Sequence, residues 1–141
     1  MKYFTMAELT HTQHRDFANK PNSEVVANLE LLCVDLDIIR SAFGPMHVSS
    51  GYRCAALNAM VGGAMNSSHL YGLAADLIPL EVGVDEIMCW LRAGTMQFDQ
   101  AINEKGKSPI NWLHYSISKT PRRQMLIMRN GRYSPWSEEN G

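Results

Sequence analysis

One aspartate interrupts an otherwise apolar segment near the middle of the chain. Residues 73–80 read LAADLIPL, and Asp76 is the one charged side chain among them. The length and composition of this run predict a buried strand. A carboxylate in such a place costs several kcal/mol unless a partner compensates its charge. Any fold of this chain must therefore bring a compensating group to Asp76.

The strongest helical pattern lies between residues 23 and 43. Apolar residues recur there at spacings of three and four, as along one face of an amphipathic helix: Val25, Leu29, Leu32, Leu36, Ile39 and Phe43. Asn22 or Ser23 can cap the start of this helix, and Gly44-Pro45 ends it. We therefore expect one long helix ahead of the apolar strand.

The rest of the chain predicts short helices and strands. We expect a short helix around residues 6–9, a helical turn at 56–61, a loop at 64–72 and a helix at 84–93. Strands are predicted within residues 46–53, 73–80, 96–104, 111–119 and 124–129, with a KGKSP turn at 105–109 and an Asn-Gly turn followed by a tail. This order predicts one α+β domain over residues 1–141, in which an N-terminal helix packs on a small, mostly antiparallel sheet.

Charge and composition argue against several classes of partner. The net charge is −1 and the pI is about 6.5, so there is no electrostatic reason to expect binding of nucleic acid or of an anionic membrane. No run reaches the roughly 18 apolar residues of a membrane span. The first residues lack the apolar core of a signal peptide, and three scattered cysteines fit a reducing compartment. We expect a monomer that is made in the cytoplasm.

Two histidines are candidate partners of Asp76. His69 lies seven residues before it, and His114 lies on the face of the 111–119 strand that is opposite the apolar one. Zinc accepts imidazole nitrogen and carboxylate oxygen, and a catalytic site uses three protein ligands and a water. One Zn²⁺ ion bound by these three residues would compensate Asp76. The alternatives are a salt bridge from Asp76 to an arginine, two hydrogen-bonded histidines, and a metal-free α+β domain.

Six short motifs follow one another along the chain. They are SGYR at 50–53, LN at 57–58, VGG at 61–63, SxHxxGxAxD at 67–76, FDQ at 98–100 and WxHxS at 112–116. Together they resemble the zinc D-Ala-D-Ala carboxypeptidase and L-alanyl-D-glutamate endopeptidase family. Members of that family cut peptidoglycan stem peptides, and many are bacteriophage endolysins. The resemblance covers roughly residues 4–118 and implies a Hedgehog/D-Ala-D-Ala peptidase-like fold.

The resemblance implies a role for each matching residue. His69, Asp76 and His114 match the three zinc ligands. Arg53 matches the arginine that binds a substrate carboxylate or polarises its carbonyl, and a guanidinium suits this task because it offers a bidentate fork and keeps its charge. A structural ion pair of Arg53 with Asp76 is the alternative.

The general base is the point at which the chain departs from its family. Zinc lowers the pKa of a water molecule, and a carboxylate then takes the proton. Many relatives carry this acid three residues before the last histidine, where this chain has Asn111. Glu104 is the nearest substitute, provided that its strand lies beside strand 111–119; otherwise it is a solvated residue. Asp99 is the second candidate, either as the base or as a carboxylate that orients a zinc-bound histidine.

Several polar residues are expected to line the cleft and bind substrate. These are Ser67, Tyr71 and Ser116, with simple loop solvation as the alternative for each. Gly72 is expected to allow a tight turn beside the metal, and Trp112 is expected to form a cleft wall or a core ring.

The resulting hypothesis is a zinc-dependent peptidase that hydrolyses peptidoglycan stem peptides. It would act as a D,D-carboxypeptidase or as an L-alanyl-D-glutamate endopeptidase, and it would reach the wall after phage-type release. The alternative is a catalytically inactive zinc-bearing module of the same fold, with a binding or virion structural role, and Asn111 is the residue that supports it.

Overall fold

The described chain comprises residues 1–106 and 109–140 of a computed structural model and alternates short helices with strands. Its helices are α1 (Met6–Thr10), α2 (Ser23–Phe43), α3 (Ala55–Met60) and α4 (Val84–Ala93), with one 3₁₀ turn at Ser68–Tyr71. Its strands are β1 (Met46–Ser50), β2 (Ala74–Pro79), β3 (Gln100–Lys105), β4 (Asn111–Ser116), β5 (Gln124–Arg129) and β6 (Arg132–Pro135). Lys107 and Ser108 of the predicted KGKSP turn lie outside the described residues.

The long helix α2 begins and ends where the sequence predicts. The side chain of Asn22 accepts a hydrogen bond of 2.9 Å from the amide of Val25, and Gly44, at φ +87°, follows the last turn. The predicted apolar face is buried except at Phe43, which is half-buried. In the described part of the chain, no helix is long and apolar enough to cross a membrane.

The six strands form one mixed sheet in the order β1-β2-β4-β3-β5-β6. Four neighbouring pairs are antiparallel, but β3 and β5 run parallel. The α+β prediction is confirmed, and the expected mostly antiparallel sheet is a mixed one. The parallel pair arises because residues 117–123 carry the chain from the end of β4 past β3 to its other side. The segment predicted as a tail contains β6, which returns along β5 after the Asn-Gly turn.

The two faces of β4 separate the core from a cleft. Leu113 and Tyr115 are fully buried in the apolar cluster, whereas Trp112 and His114 line the cleft on the opposite face. Residues of α2 belong to the same apolar cluster, and the Tyr115 hydroxyl donates a hydrogen bond of 2.6 Å to Asp35 of α2. Beyond this shared cluster, the packing of an N-terminal helix across the sheet stays a prediction.

Gly72 connects the 3₁₀ turn to β2 in a conformation that a side chain would strain. Its φ is +72°, and a Cβ built there would lie 2.8 Å from the carbonyl oxygen of Val25. That oxygen belongs to the backbone of α2 and cannot move cheaply. A glycine is therefore required where the chain passes α2 between His69 and Asp76.

We expect Gly72→Ala to lower the free energy of unfolding by more than Gly62→Ala does. Both glycines have a left-handed φ, at +72° and +76°, but a Cβ at Gly62 meets nothing within 4 Å. The φ strain should cost each variant about 1–3 kcal/mol, and the contact with Val25 should add about 1–3 kcal/mol at Gly72 alone. Urea denaturation of both variants measures the difference, and equal losses would contradict the close approach.

Candidate metal centre

Two histidines and one aspartate meet at the cleft face of the sheet. One ligand atom from each of His69, Asp76 and His114 lies within 4.8 Å of the others. Asp76 and His114 are direct partners on β2 and β4, and Oδ1 of Asp76 lies 3.1 Å from Nδ1 of His114. The 3₁₀ turn brings Nε2 of His69 to 3.4 Å from the same oxygen. The three residues named from the sequence are therefore together, and their role as ligands stays a prediction.

The surroundings of His69 leave one ring nitrogen available to a cation. Its Nδ1 lies 2.7 Å from the carbonyl oxygen of Gly51, so it carries the hydrogen and donates it. Its Nε2 is buried and has no hydrogen-bond partner among the described residues. Metal-bound histidines show this arrangement, in which the outer nitrogen donates to a carbonyl and fixes the tautomer. The lone pair of Nε2 thus faces the centre, as a ligand requires.

The carboxylate of Asp76 is held in its charged form. Burial alone would raise the pKa of Asp76, but His69 and His114, when their imidazoles are protonated, outweigh burial and lower it well below its usual range. A cation bound in place of those protons would act in the same direction. The alternative partner, Arg53, approaches Oδ2 of Asp76 only to 3.9 Å, which is beyond hydrogen-bond distance.

Arg53 is fixed at the edge of the centre by uncharged groups. Its Nε donates to the hydroxyl of Ser50 at 3.1 Å and its Nη1 donates to the side chain of Asn58 at 3.2 Å. Burial lowers the pKa of Arg53, while the charges of Asp76 and Glu104 act in the opposite direction. Gly63 permits this packing, because a Cβ there would lie 2.1 Å from Asn58 Oδ1 and 2.7 Å from Arg53 Nη1.

A cleft of about 650 Å³ lies on the face of the sheet that carries Trp112 and His114. It is lined by the three clustered residues together with Arg53, Ser67, Ser68, Glu104, Trp112 and Tyr133, among others. Two imidazoles and one carboxylate are ligand types that zinc uses. This arrangement can hold a metal ion next to an arginine and a further carboxylate. Metal-assisted hydrolysis uses these kinds of group.

A sequence model of the peptidase M15 family matches residues 2–108. The chain belongs to the peptidase M15 family. A zinc D-Ala-D-Ala carboxypeptidase from Streptomyces albus G is 40% identical over 78 residues, which is 52% of this chain and 30% of that relative. The chain thus matches under a third of the relative's length. The family inferred from the motifs is confirmed, and His114 lies beyond the matched residues, so its place in the cluster rests on geometry.

Glu104 of this M15 chain reaches the cleft through the pairing of β3 with β4. Glu104 faces Trp112 and Ile102 faces His114 in the antiparallel register. The Cα atoms of Glu104 and His114 are therefore diagonal neighbours, about 7–8 Å apart. Burial raises the pKa of Glu104, and the charge of Asp76 raises it further. The sequence analysis required the strand of Glu104 to lie beside β4, and the structure shows this pairing.

Three sequence-predicted site residues are placed elsewhere. Both carboxylate oxygens of Asp99 accept hydrogen bonds from the guanidinium of Arg122, at 2.8 and 2.9 Å, and this pairing lowers the pKa of Asp99. Ser116 is fully buried and accepts a hydrogen bond from the amide of Gln100 at 3.1 Å, so it cannot meet a substrate. Tyr71 is 51% exposed but does not line the cleft. Asp99 is therefore positioned to anchor the 117–123 segment.

Ser67 lines the cleft, but it also has a structural task. Its hydroxyl accepts a hydrogen bond of 3.3 Å from the amide of His69 and so caps the 3₁₀ turn that carries this histidine. Trp112 lines the cleft as expected, and its Nε1 is buried without a hydrogen-bond partner among the described residues.

Tyr133 is a cleft residue that the sequence analysis missed. It lies on β6, in the segment that was predicted as a tail, and it lines the cleft. Partial burial and the negative charges of Glu104 and Asp76 raise the pKa of its phenol. The Asn-Gly turn was the available signal, since such a turn predicts a return strand and hence a residue beside β5.

We expect zinc to stabilise this M15 chain through the three clustered residues. With free Zn²⁺ at 100 times its Kd, the free energy of unfolding should rise by about 2.7 kcal/mol. His69→Ala should lose most of this increment, while His47→Ala should keep it, because His47 is exposed on β1 and lies outside the cluster. Thermal unfolding with and without zinc, together with metal analysis, measures both effects. An equal response of the two variants would contradict the site.

Proposed function

We propose that this M15 chain is a zinc-dependent peptidase that hydrolyses peptidoglycan stem peptides. The observation that carries the proposal is the His69–Asp76–His114 cluster in a cleft that also holds Arg53 and Glu104. Membership of the family and the similarity to a zinc D-Ala-D-Ala carboxypeptidase support it. Two reactions fit, which are removal of a terminal D-Ala and a cut between L-Ala and D-Glu.

In this proposal, His69, Asp76 and His114 hold one zinc ion. The unpartnered Nε2 of His69 and the short distances between the three ligand atoms support their assignment as ligands. A zinc ion held there would supply Lewis-acid chemistry, since it would lower the pKa of a water molecule to about 7 and polarise a carbonyl. Arg53 binds a carboxylate of the peptide, since its guanidinium lies in the cleft wall and carries a permanent charge.

Glu104 is the proposed general base, in place of the acid that Asn111 lacks. Its carboxylate accepts a proton from the attacking water and passes it to the leaving amine. The burial that raises the pKa of Glu104 makes the carboxylate a better proton acceptor. A cation in the cluster would act in the opposite direction and favour the ionised carboxylate.

The proposed setting is phage-type lysis of the cell wall. The chain would be made in the cytoplasm as a monomeric single domain and would act on the wall after release. This part follows the resemblance to endolysins in the motifs of residues 50–116. The second candidate function, a zinc-bearing binding or virion module without catalysis, is favoured by Asn111 alone.

We expect the zinc-loaded protein to cleave a muropeptide of sequence L-Ala-γ-D-Glu-diaminopimelate-D-Ala-D-Ala, and a chelator to stop the cleavage. Mass spectrometry identifies the reaction, because loss of one terminal alanine marks a carboxypeptidase and release of L-Ala marks the endopeptidase. If the protein holds stoichiometric zinc and leaves the peptide intact, the peptidase proposal is wrong and the function as a zinc-bearing binding module is favoured.

Glu104→Gln should lower kcat by about 10²–10⁴-fold while zinc content stays unchanged, since it removes the proton acceptor but no proposed ligand. Glu30→Gln is the matched control, because Glu30 is an exposed residue of α2 outside the cleft. Steady-state kinetics on the same muropeptide, with metal analysis of each variant, compares the two. A Glu104→Gln enzyme with wild-type kcat would remove Glu104 from the mechanism.

A further inference from the structure

A second cleft, of about 350 Å³, meets the first at Arg53. It lies between the N-terminal loop and β1 and is lined by His11, Thr12, Gln13, His14, Ser49 and Ser50, among others. Arg53, Val61 and Asp76 line both clefts. The groove therefore continues past Arg53, on the side away from Glu104, and its volume lies in the range of about 300–1,000 Å³ for ligand sites.

The loop that forms the outer wall of this cleft is fixed by one buried side chain. Asn19 is 4% exposed, and its Nδ2 donates to the carbonyl of Thr10 at 2.8 Å, which closes the loop over residues 10–19. The same nitrogen donates to the carbonyl of Tyr52 at 2.9 Å, and its Oδ1 accepts from the amide of Cys54 at 2.8 Å. The loop is thus bonded to both neighbours of Arg53, and loops with joined ends are commonly functional.

The lining of this second cleft suits a carboxylate. Hydroxyls, an amide and imidazoles line it, and Asp76 is its one acidic residue among the described ones. Arg53 uses its Nε and Nη1 for the hydrogen bonds to Ser50 and Asn58, and a guanidinium has five N–H donors. The groove therefore offers hydrogen-bond donors on the loop and the guanidinium of Arg53 at its inner end, which together favour an anionic group.

We propose that this second cleft is a substrate subsite that binds a carboxylate-bearing arm of the peptide beyond Arg53. The inference rests on the proposed peptidase function and extends it, because the bound peptide then passes Arg53 and does not end there. The side chains of Gln13 and His14 hold the arm from the loop side, and the Asn19 hydrogen bonds keep the loop in place before substrate arrives.

The test measures peptide binding by the zinc-loaded chain. Glu104→Gln is present to limit turnover, and KM is used wherever cleavage persists. Replacing both Gln13 and His14 by Ala should raise the Kd of the muropeptide about tenfold, since two side-chain hydrogen bonds are lost. Arg15→Ala is the control, because Arg15 is exposed in the same loop but does not line the cleft. Thermal unfolding checks that the three proteins are equally stable.

Amidated peptides identify the carboxylate that the cleft binds. One peptide carries an amide at the α-carboxylate of D-Glu, and a second carries an amide at its C-terminus. Amidation of the group that sits in the cleft should weaken binding to the chain with an intact loop about as much as the double substitution does. It should then weaken binding to the doubly substituted chain no further.

The outcomes separate this inference from the proposed function. Suppose that wild type cleaves the muropeptide. If the double substitution then leaves the Kd unchanged, or raises the Kd equally for all three peptides, the proposed subsite is wrong and the proposed peptidase function stands. If the double substitution raises the Kd as expected but no protein cleaves the muropeptide, the proposed binding subsite stands and the proposed peptidase function is wrong. If wild type neither binds nor cleaves the muropeptide, both are wrong.

Discussion

The charge of Asp76 is the constraint on which the arrangement of this chain depends. An ionised carboxylate on a buried strand is stable only if its environment supplies compensating charge. The fold surrounds Asp76 with groups from three separate segments. Arg53, after β1, carries a permanent charge, whereas His69 from the 3₁₀ turn and His114 from β4 add charge only when they are protonated. A metal ion bound by Asp76 and the two neutral imidazoles would take the place of those protons and would compensate the same carboxylate.

Backbone contacts around Gly51, Tyr52 and Arg53 join these segments into one unit. The amide of Arg53 donates to the carbonyl of His69 at 3.0 Å, and the carbonyl of Gly51 accepts from the ring of His69 at 2.7 Å. The amide of Tyr52 donates to the carbonyl of Leu9 at 2.7 Å. The SGYR segment therefore holds a candidate ligand on one side and the N-terminal loop on the other. Any shift of this segment would move both clefts together.

Sequence reasoning predicted the parts of this site that follow from strand alternation and motif, and it failed where a neighbour decides. The alternation of β4 placed His114 and Ser116 on one face, but it could not reveal that the neighbouring amide of Gln100 covers Ser116. The FDQ motif marked Asp99, while Arg122, more than twenty residues later, binds both of its oxygens. The parallel pairing of β3 with β5 depends on the path of residues 117–123, which no local pattern encodes.

The proposal that Glu104 serves in place of an acid at position 111 is consistent with the register of the sheet. Asn111 begins β4 opposite Lys105, and strand alternation places it on the face of Leu113, away from His114. An acid at position 111 would therefore need a local break in β4 to face the metal centre. Glu104 needs none, because it lies opposite Trp112 and shares the cleft face with His114 and Asp76. Because β4 is regular from its first residue, a carboxylate on β3 can face the metal centre without any change in the backbone of β4.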